Sequence, residues 1–374
     1  MKKTLLSIII LISIITGLLS ACAGGGVVNN TWPGLLVDEK SNTAYVANGQ
    51  HVYAVDTNNG SEKWRFPSKA EKLMTFYAAP VLTADGQLIV GGFDNKLYSL
   101  NPESGLQNWQ FPRDGDQNQA AQSTNPHFVA SPCILGDKIY APSSDKNVYI
   151  VNLKGESVSQ PFVADDQLWG TPVTDGKNIY VTSMDHHVYA IDGETDKQLW
   201  KSEDLGGAIG GSPTLGADGI LFVGTLNSEL IALDTGDGKI LWRNSADGWV
   251  WNGPAVEGDS IYYGDLWGSI YAKKAQDGSS QWPPILPDSA PKRAITDRPL
   301  LKDGMLYFGS ESGSLFEVNA ANGNFQSIGQ FKGSLHTSPL VAGENIIIAI
   351  VSPDMLLVAL DTNGNQRWVY NPAK

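Results

Sequence analysis

A set of aromatic residues and one histidine precedes regularly spaced prolines in this 374-residue sequence, and their side chains could stack on a ligand or anchor a peptide. Tyr77, Trp169, Trp251 and His336 each stand three residues before a proline. Trp249 lies two residues before Trp251, which places both on one face of an extended chain. Large rings of this kind supply the anchors of many binding sites. The alternative is that these side chains only fill the axis of the fold.

Metal ligands and catalytic groups form no comparable pattern. Residues 114–119 (DGDQNQ) begin like a calcium loop, but glycine is missing from the sixth position and Asn125 stands where a bidentate glutamate is needed. His186 and His187 are adjacent, so strand alternation directs their rings to opposite faces. We therefore predict no metal site, no cofactor and no catalytic residues.

A repeated four-stranded unit, best preserved in residues 212–243, must position the aromatic residues. Its four short apolar runs are joined by turn compositions such as Asp218-Gly219 and Gly236-Asp237-Gly238. Such a small meander cannot bury both faces alone and needs neighbours. The unit occurs eight times at intervals of 40 to 52 residues, anchored on Pro33, Pro80, Pro132, Pro172, Pro213, Pro254, Pro299 and Pro339. This period predicts an all-β fold, a single eight-bladed β-propeller of four-stranded antiparallel blades over residues 31–374.

The first strand of each blade is innermost and crowds the axis. This explains the small residues directly before most of the prolines: Ala79, Ser131, Thr171, Ser212, Gly253 and Ser338. The aromatic residues two positions earlier should then surround the mouth of the central channel. The long connections between repeats lie on this same rim: residues 67–78, 112–130 and 283–297. We call it the loop-rich rim and expect binding there, because variable loops on a rigid scaffold often carry function.

The connection before the seventh repeat carries three cations, Lys292, Arg293 and Arg298, together with several prolines. We interpret it as an exposed protrusion and a candidate contact for a partner protein. The alternative is an ordinary solvated loop.

A tryptophan ends the fourth strand of six repeats. Its fixed place at the outer end of the blade predicts that each indole docks against the next blade. The six residues are Trp64, Trp109, Trp200, Trp242, Trp282 and Trp368. Repeats three and seven are predicted to lack this fourth strand and carry Gln160-Pro161-Phe162 and Ser327-Ile328 instead.

The run from Leu230 to Gly236 (LIALDTG), followed by Trp242, resembles the repeat of PQQ-type β-propellers, and the resemblance covers essentially the whole chain after the N-terminal segment. That family includes quinoprotein dehydrogenases, the lipoprotein subunit of the outer-membrane β-barrel assembly machinery, and sensor domains, so the motif specifies the fold better than the function. We favour a noncatalytic scaffold similar to the assembly lipoprotein. The alternatives are a dehydrogenase that uses PQQ with calcium, and a surface ligand-binding or sensor propeller. For a dehydrogenase, Asp247 and Asp297 are the only acids near the channel face.

The N-terminus has the features of an export signal. Lys2 and Lys3 precede an apolar stretch over residues 5–19, and Leu19-Ser20-Ala21-Cys22 follows. The pattern resembles a bacterial lipoprotein signal, which implies cleavage after residue 21, diacylglyceryl attachment at Cys22 and a flexible tether over residues 22–30. The protein is then exported and anchored by lipid, at the periplasmic face of the outer membrane in a diderm host or otherwise at the cell surface. With Cys22 modified, Cys133 has no partner for an intramolecular disulfide.

The charge balance narrows the class of partner. The chain has 26 Lys and Arg against 39 Asp and Glu, a formal charge of −13. Removal of Lys2 and Lys3 with the signal makes the charge −15. Such an acidic protein is unsuited to nucleic acid, because phosphate binding needs clustered basic residues. We therefore predict a monomeric propeller whose partners are envelope proteins, with β-barrel assembly components as candidates.

Overall fold

The computed structural model describes residues 32–113 and 127–372, and these fold into eight antiparallel sheets, each with its four strands in sequence order. The predicted eight-bladed all-β propeller is confirmed. None of the described residues forms an α-helix, and so none forms an apolar helix long enough to cross a bilayer.

The first four blades run from the N-terminal side to the middle of the chain. Blade one contains β1 (Gly34–Asp38), β2 (Thr43–Asn48), β3 (His51–Asp56) and β4 (Glu62–Phe66). Blade two contains β5 (Val81–Leu82), β6 (Leu88–Gly91), β7 (Leu97–Leu100) and β8 (Gln107–Phe111). Blade three contains β9 (Cys133–Leu135), β10 (Lys138–Pro142), β11 (Asn147–Asn152) and β12 (Phe162–Val163). Blade four contains β13 (Val173–Thr174), β14 (Asn178–Thr182), β15 (Val188–Asp192) and β16 (Gln198–Lys201).

The second four blades repeat the same order. Blade five contains β17 (Thr214–Leu215), β18 (Ile220–Thr225), β19 (Glu229–Asp234) and β20 (Ile240–Ser245). Blade six contains β21 (Ala255–Glu257), β22 (Ser260–Gly264), β23 (Ile270–Lys274) and β24 (Ser280–Ile285). Blade seven contains β25 (Leu300–Lys302), β26 (Met305–Gly309), β27 (Ser314–Asn319) and β28 (Phe325–Gln330). Blade eight contains β29 (Leu340–Ala342), β30 (Asn345–Ala349), β31 (Leu357–Leu360) and β32 (Gln366–Tyr370).

The two middle strands of each blade are covered on both faces by the neighbouring blades. The six residues of β18 are all buried, and so are five of the six in β2. The fourth strand is the blade's outer edge, and β20 accordingly alternates between half-buried and exposed residues. A middle strand therefore reads as continuous apolar sequence and an outer strand as an alternating one.

Each apolar core lies between two adjacent blades, and there is one such core at each of the eight seams. Blades one and eight share one of these cores, in which Val46 and Tyr53 pack with Ile347 and Tyr370. No strand is exchanged between these two blades, since the sheet of each is built from its own consecutive strands. Side-chain packing, together with hydrogen bonds from side chains to backbone carbonyls, therefore closes the ring without a shared sheet.

The six repeat tryptophans lie against the following blade. Each indole Nε1 donates to a backbone carbonyl there at 2.9 to 3.0 Å, as Trp64 does to Pro102. Under each ring lies a glycine from the turn between the third and fourth strands of the next blade. At Gly105, which has a φ of +68°, a Cβ atom would come within 2.5 Å of the Trp64 ring. The turn therefore needs glycine both for its backbone conformation and for the close approach of the ring.

Repeats three and seven do have a fourth strand, although the tryptophan is absent. Strand β12 is reduced to two residues, whereas β28 has six. At the seam after blade seven, the backbone of Ile328 occupies the place of the indole against Gly364. At the seam after blade three, the next blade carries Asp196 where the others have glycine, also at positive φ. The tryptophan and its glycine are thus lost together at this seam.

Candidate functional site: the central cavity and the loop-rich rim

The inner strands enclose a cavity of about 540 Å³ on the propeller axis. Its wall is formed where each connection from the loop-rich rim enters the first strand of a blade. Four of the five predicted aromatic positions line it: Tyr77, Trp169, Trp251 and His336. The periodic prolines thus identify the residues that face the axis, because each proline marks the same point of its inner strand.

Trp249, the fifth predicted position, does not line the cavity. It packs beside the wall with Leu226, against a small cluster formed by Trp251, Leu266 and Ala294. Before Trp251, the chain does not yet follow the inner strand. It runs along the next blade, where the Leu266 amide donates to the Trp249 carbonyl at 2.8 Å. Strand alternation therefore does not extend back to this residue.

Trp32 is the largest addition to the predicted site. Its ring stacks on the His336 imidazole with 4.4 Å between centroids and 9° between planes. It also meets the Trp251 ring edge-on at 6.1 Å. Trp32 directly precedes Pro33, the position at which the other repeats mostly carry Ala, Ser, Thr or Gly. A comparison of the residue directly before the proline in every repeat would have identified Trp32.

The imidazole of His336 is held in its neutral form. Burial, helped by the charge of Lys292, lowers the pKa of His336 to about 4. Its Nδ1 lies 3.4 Å from the Thr296 hydroxyl, which also contacts the His336 carbonyl at 3.2 Å. At neutral pH His336 therefore contributes an uncharged aromatic ring to the cavity wall and not a positive charge.

The three cations predicted to form one partner contact are separated. Lys292 is exposed, whereas the Arg293 guanidinium lies over the Trp267 ring and donates to the Trp267 carbonyl at 2.7 Å. Arg298 lies in the cavity wall, because it directly precedes Pro299 and so shares the register of Trp32. Arg298 therefore does not belong to an exposed protrusion. That loop is also shorter than predicted, since β24 continues through Pro283 and Pro284 to Ile285.

A chain of hydrogen bonds runs around the wall and links seven of the eight seams; we call it the inner belt. Ser131 Oγ donates to the Ala79 carbonyl at 2.7 Å, and similar bonds continue from blade to blade. Its later members are the bonds Ser131 N–Thr171 Oγ1, Thr171 N–Ser212 Oγ, Ser212 N–Asn252 Oδ1, Asn252 Nδ2–Asp297 Oδ1, Ser338 N–Asp297 Oδ2 and Thr337 Oγ1–Pro33 O. The small polar residues before the prolines thus also join the blades.

The inner belt occupies Asp297, the one carboxylate among the described residues of the cavity wall. Asp297 accepts hydrogen bonds from the Asn252 side chain at 3.1 Å and from the Ser338 and Arg298 amides at 2.8 Å each. Asp247, the other acid considered for a dehydrogenase, is exposed and accepts from the Ser269 hydroxyl at 3.0 Å. It is not part of the cavity wall. The two acids therefore do not form a pair on the channel face.

The remaining candidates lie apart or outside the described residues. His186 contacts Asp204, and His187 contacts the Ser202 carbonyl, so the two rings have separate partners. Within residues 32–113 and 127–372, no three His, Cys, Asp or Glu side chains are grouped as metal ligands. Cys133 is buried, which raises the pKa of its thiol to about 11. Cys22, the tether and the DGDQNQ segment lie outside the described residues.

The chain resembles known proteins over most of its length. A sequence profile described as "Outer membrane protein assembly factor BamB" matches residues 33–186 and 184–329. BamB from Escherichia coli strain K12 is 26% identical over 351 residues, which cover 88% of this chain and 85% of that protein. BamB from Burkholderia pseudomallei is 30% identical over 115 residues, which cover 30% of this chain and 29% of that protein.

Solved structures add evidence on the fold alone. BamB from Moraxella catarrhalis superposes with a TM-score of 0.68 at 16% identity, covering 87% of this chain and 94% of that one. The computationally designed Ika8 protein superposes with a TM-score of 0.70 at 11% identity, covering 91% and 96%. A designed protein that matches as well as a natural one shows that the architecture does not carry a function. The family assignment rests instead on the sequence profile, which spans well over half of the chain: this protein belongs to the family of the outer membrane protein assembly factor BamB.

Proposed function

We propose that this protein is a noncatalytic scaffold of the cell envelope that binds components of the β-barrel assembly machinery and is held at the membrane by a lipid on Cys22. The observation that carries the proposal is the match to the BamB family over residues 33–329. The name of that family describes assembly of outer membrane proteins, and a scaffold needs no catalytic group. The separation of the two candidate acids supports the noncatalytic assignment, because Asp297 lies in the cavity wall and Asp247 lies outside it.

The loop-rich rim is the surface that we assign to the partner. Its connection between blades one and two carries Leu73, which is 80% exposed. An apolar side chain that protrudes this far into water is suited to enter a pocket on another protein. Lys292 is exposed on the same rim. The opposite rim offers a matched reference in Leu106, 70% exposed in the turn between β7 and β8.

The proposal is tested by affinity purification of the tagged full-length protein from detergent-solubilised native membranes. We expect β-barrel assembly components to copurify with the wild type. Leu73→Asp combined with Lys292→Glu should reduce their recovery severalfold, because the first change places a charge where an apolar contact forms and the second reverses a charge on the same rim. Leu106→Asp should leave recovery unchanged.

Two outcomes count against the proposal at different levels. Absence of assembly components from the wild-type purification rejects the scaffold function. Equal recovery with the Leu73 and Lys292 variant retains the function but rejects the loop-rich rim as the contact surface. Replacement of Cys22 by Ser, followed by membrane fractionation, tests the lipid anchor separately: the variant should leave the membrane fraction.

A further inference from the structure

We infer that the central cavity is a binding site for a carboxylate attached to an apolar or aromatic body, with Arg298 as the residue that binds the carboxylate. This inference goes beyond the proposed scaffold function and is independent of it. It rests on the position of Arg298, on the hydrogen bonds around it and on the rings that form the rest of the wall.

Arg298 is an exception in a ring of small side chains. It occupies the position directly before a repeat proline, where six other blades carry Ala, Ser, Thr or Gly. Arg298 lines the same cavity as five of these smaller residues, Ala79, Ser131, Thr171, Ser212 and Ser338. The sequence therefore places one positive charge in the cavity wall of a protein whose overall charge is strongly negative.

The guanidinium has no hydrogen-bond or ion-pair partner in residues 32–113 and 127–372. The neighbouring carboxylate of Asp297 is occupied by Asn252, by Ser338 and by the backbone amide of Arg298 itself. A guanidinium has five N–H donors, and none of those of Arg298 is used within the described residues, so they are available to an anion in the cavity.

A carboxylate matches this site better than a more highly charged anion. The planar guanidinium binds the two oxygens of a carboxylate through parallel hydrogen bonds. Arg298 is the only Lys or Arg in the described part of the wall. The hydroxyl groups of Ser131, Ser338 and Thr337 already donate to backbone carbonyls of the inner belt. A wall with one cation suits a ligand group of charge −1.

The other residues of the cavity wall determine the chemical character of the part of the ligand that carries the carboxylate. Trp32, Tyr77, Trp169 and Trp251 present aromatic surface to the cavity. A volume of about 540 Å³ falls within the range of small-molecule sites, roughly 300 to 1,000 Å³. These features fit an apolar or aromatic acid. The same chemistry is available from a free small molecule or from the C-terminal carboxylate of a peptide, and the test distinguishes the two.

The test is calorimetric titration of the full-length protein in detergent with probes that differ only in the acidic group. One pair is naphthalene-2-carboxylate and its neutral carboxamide. The other pair is a tripeptide ending in leucine, with a free or an amidated C-terminus. We expect saturable binding of at least one acid, and at least tenfold weaker binding of its amide, since a charge-assisted pair is lost. Binding of naphthalenecarboxylate alone identifies a small-molecule site, and binding of the free tripeptide alone identifies a site for chain ends.

Variants locate the effect at the cavity. Arg298→Gln should weaken binding of the acid at least tenfold, and Arg298→Lys should weaken it less, because the charge remains without the planar geometry. Arg293→Gln is the matched control: it removes an arginine that is held on Trp267, outside the wall, and should leave affinity unchanged. Unchanged thermal unfolding identifies variants that fold normally. The inference is wrong if neither acid binds, if acid and amide bind equally, or if both folded Arg298 variants bind like the wild type.

Discussion

The imidazole of His336 stacks on the Trp32 indole, and its protonation is disfavoured by burial and by the positive charge of Lys292. Burial is the larger effect and the lysine the smaller one. We expect the ring to titrate near pH 4, well below the value of about 6.5 for histidine in an unfolded chain. Nitrogen-15 NMR of the imidazole measures this directly.

The linked effect on stability has a defined sign. Because the folded-state pKa of His336 is lowered, its contribution to stability is complete above about pH 6.5 and is lost as the pH falls toward 4. Lys292→Gln should raise the pKa of His336, whereas Lys239→Gln, far away in an outer turn, should not. A His336 ring that titrates at 6 or above would show that the Trp32 stack leaves it open to water.

Sequence spacing located most of the cavity residues because a proline fixes the register of every inner strand. The rule succeeded three residues before each proline from Pro80 to Pro339, where the chain is already extended along the wall. It failed at Trp249, where the chain has turned onto the neighbouring blade. Trp32 and Arg298 follow the same register, but they differ from the small side chains that their position usually carries. Which polar groups remain unpaired in the wall depends on the inner belt, and no sequence pattern contains that information.

At the scale of strands and turns, the seam between blades three and four replaces a ring contact with polar contacts. Asp196 stands in the turn where the other blades have glycine, and it accepts from the Tyr140 hydroxyl at 2.8 Å and from Lys138 Nζ at 2.9 Å. The side chains of Lys138 and Asp196 are only 17% and 7% exposed. The carboxylate thus fills the end of the seam that an indole covers in six other places.

Replacement of this aspartate by glycine tests the interpretation. Glycine removes the strain of a positive φ, 59° here, which by itself favours the variant. The change also deprives two nearly buried donors of a charged acceptor, at a cost of about 1 to 3 kcal/mol. We therefore expect Asp196→Gly to lower the free energy of unfolding by about 1 to 2 kcal/mol in urea titration.

Asp303→Gly is the control for the backbone effect. Asp303 has a φ of 52°, but its side chain is 84% exposed, and its ion pair with Lys302 therefore lies largely in water on the carboxylate side. Relief of strain should make this variant neutral or slightly more stable. If Asp196→Gly behaved in the same way, the carboxylate would contribute nothing to the seam.

The strands themselves were predictable to different degrees. Middle strands carry largely apolar and β-branched sequence, because they are buried on both faces, and this makes them recognisable in the repeat. Outer strands have only one neighbour in their sheet and are recognisable chiefly through their tryptophan. Without it, β12 and β28 were missed, although Phe162 is still buried against the next blade.

At the scale of the whole molecule, the seam between blades eight and one is built like the internal ones. Trp368 is 8% exposed and donates to the Thr57 carbonyl at 2.9 Å, with Gly60 under its ring. Trp282, at the internal seam between blades six and seven, is 6% exposed and donates to the Ala320 carbonyl at 3.0 Å above Gly323. The two sites are closely matched in burial, hydrogen bonding and backbone contact.

This match gives a test of ring closure in solution. If all seams are closed, Trp368→Ala and Trp282→Ala should each lower the free energy of unfolding by about 3 to 5 kcal/mol, the range for large buried aromatic residues. Val369→Ala serves as a reference for the outer strand, because Val369 is 38% exposed and its truncation should cost less than about 1 kcal/mol. The chain connects each blade to the next, but among the described residues nothing covalent connects blade eight to blade one. This closing seam could therefore separate while the chain stays intact. A cost for Trp368→Ala near that of Val369→Ala, with a large cost for Trp282→Ala, would mean that the ring opens at this seam. Equal costs for both tryptophans would mean that side-chain packing and the hydrogen bonds of Trp368 and Thr337 make the eighth seam as stable as the seven that the chain connects.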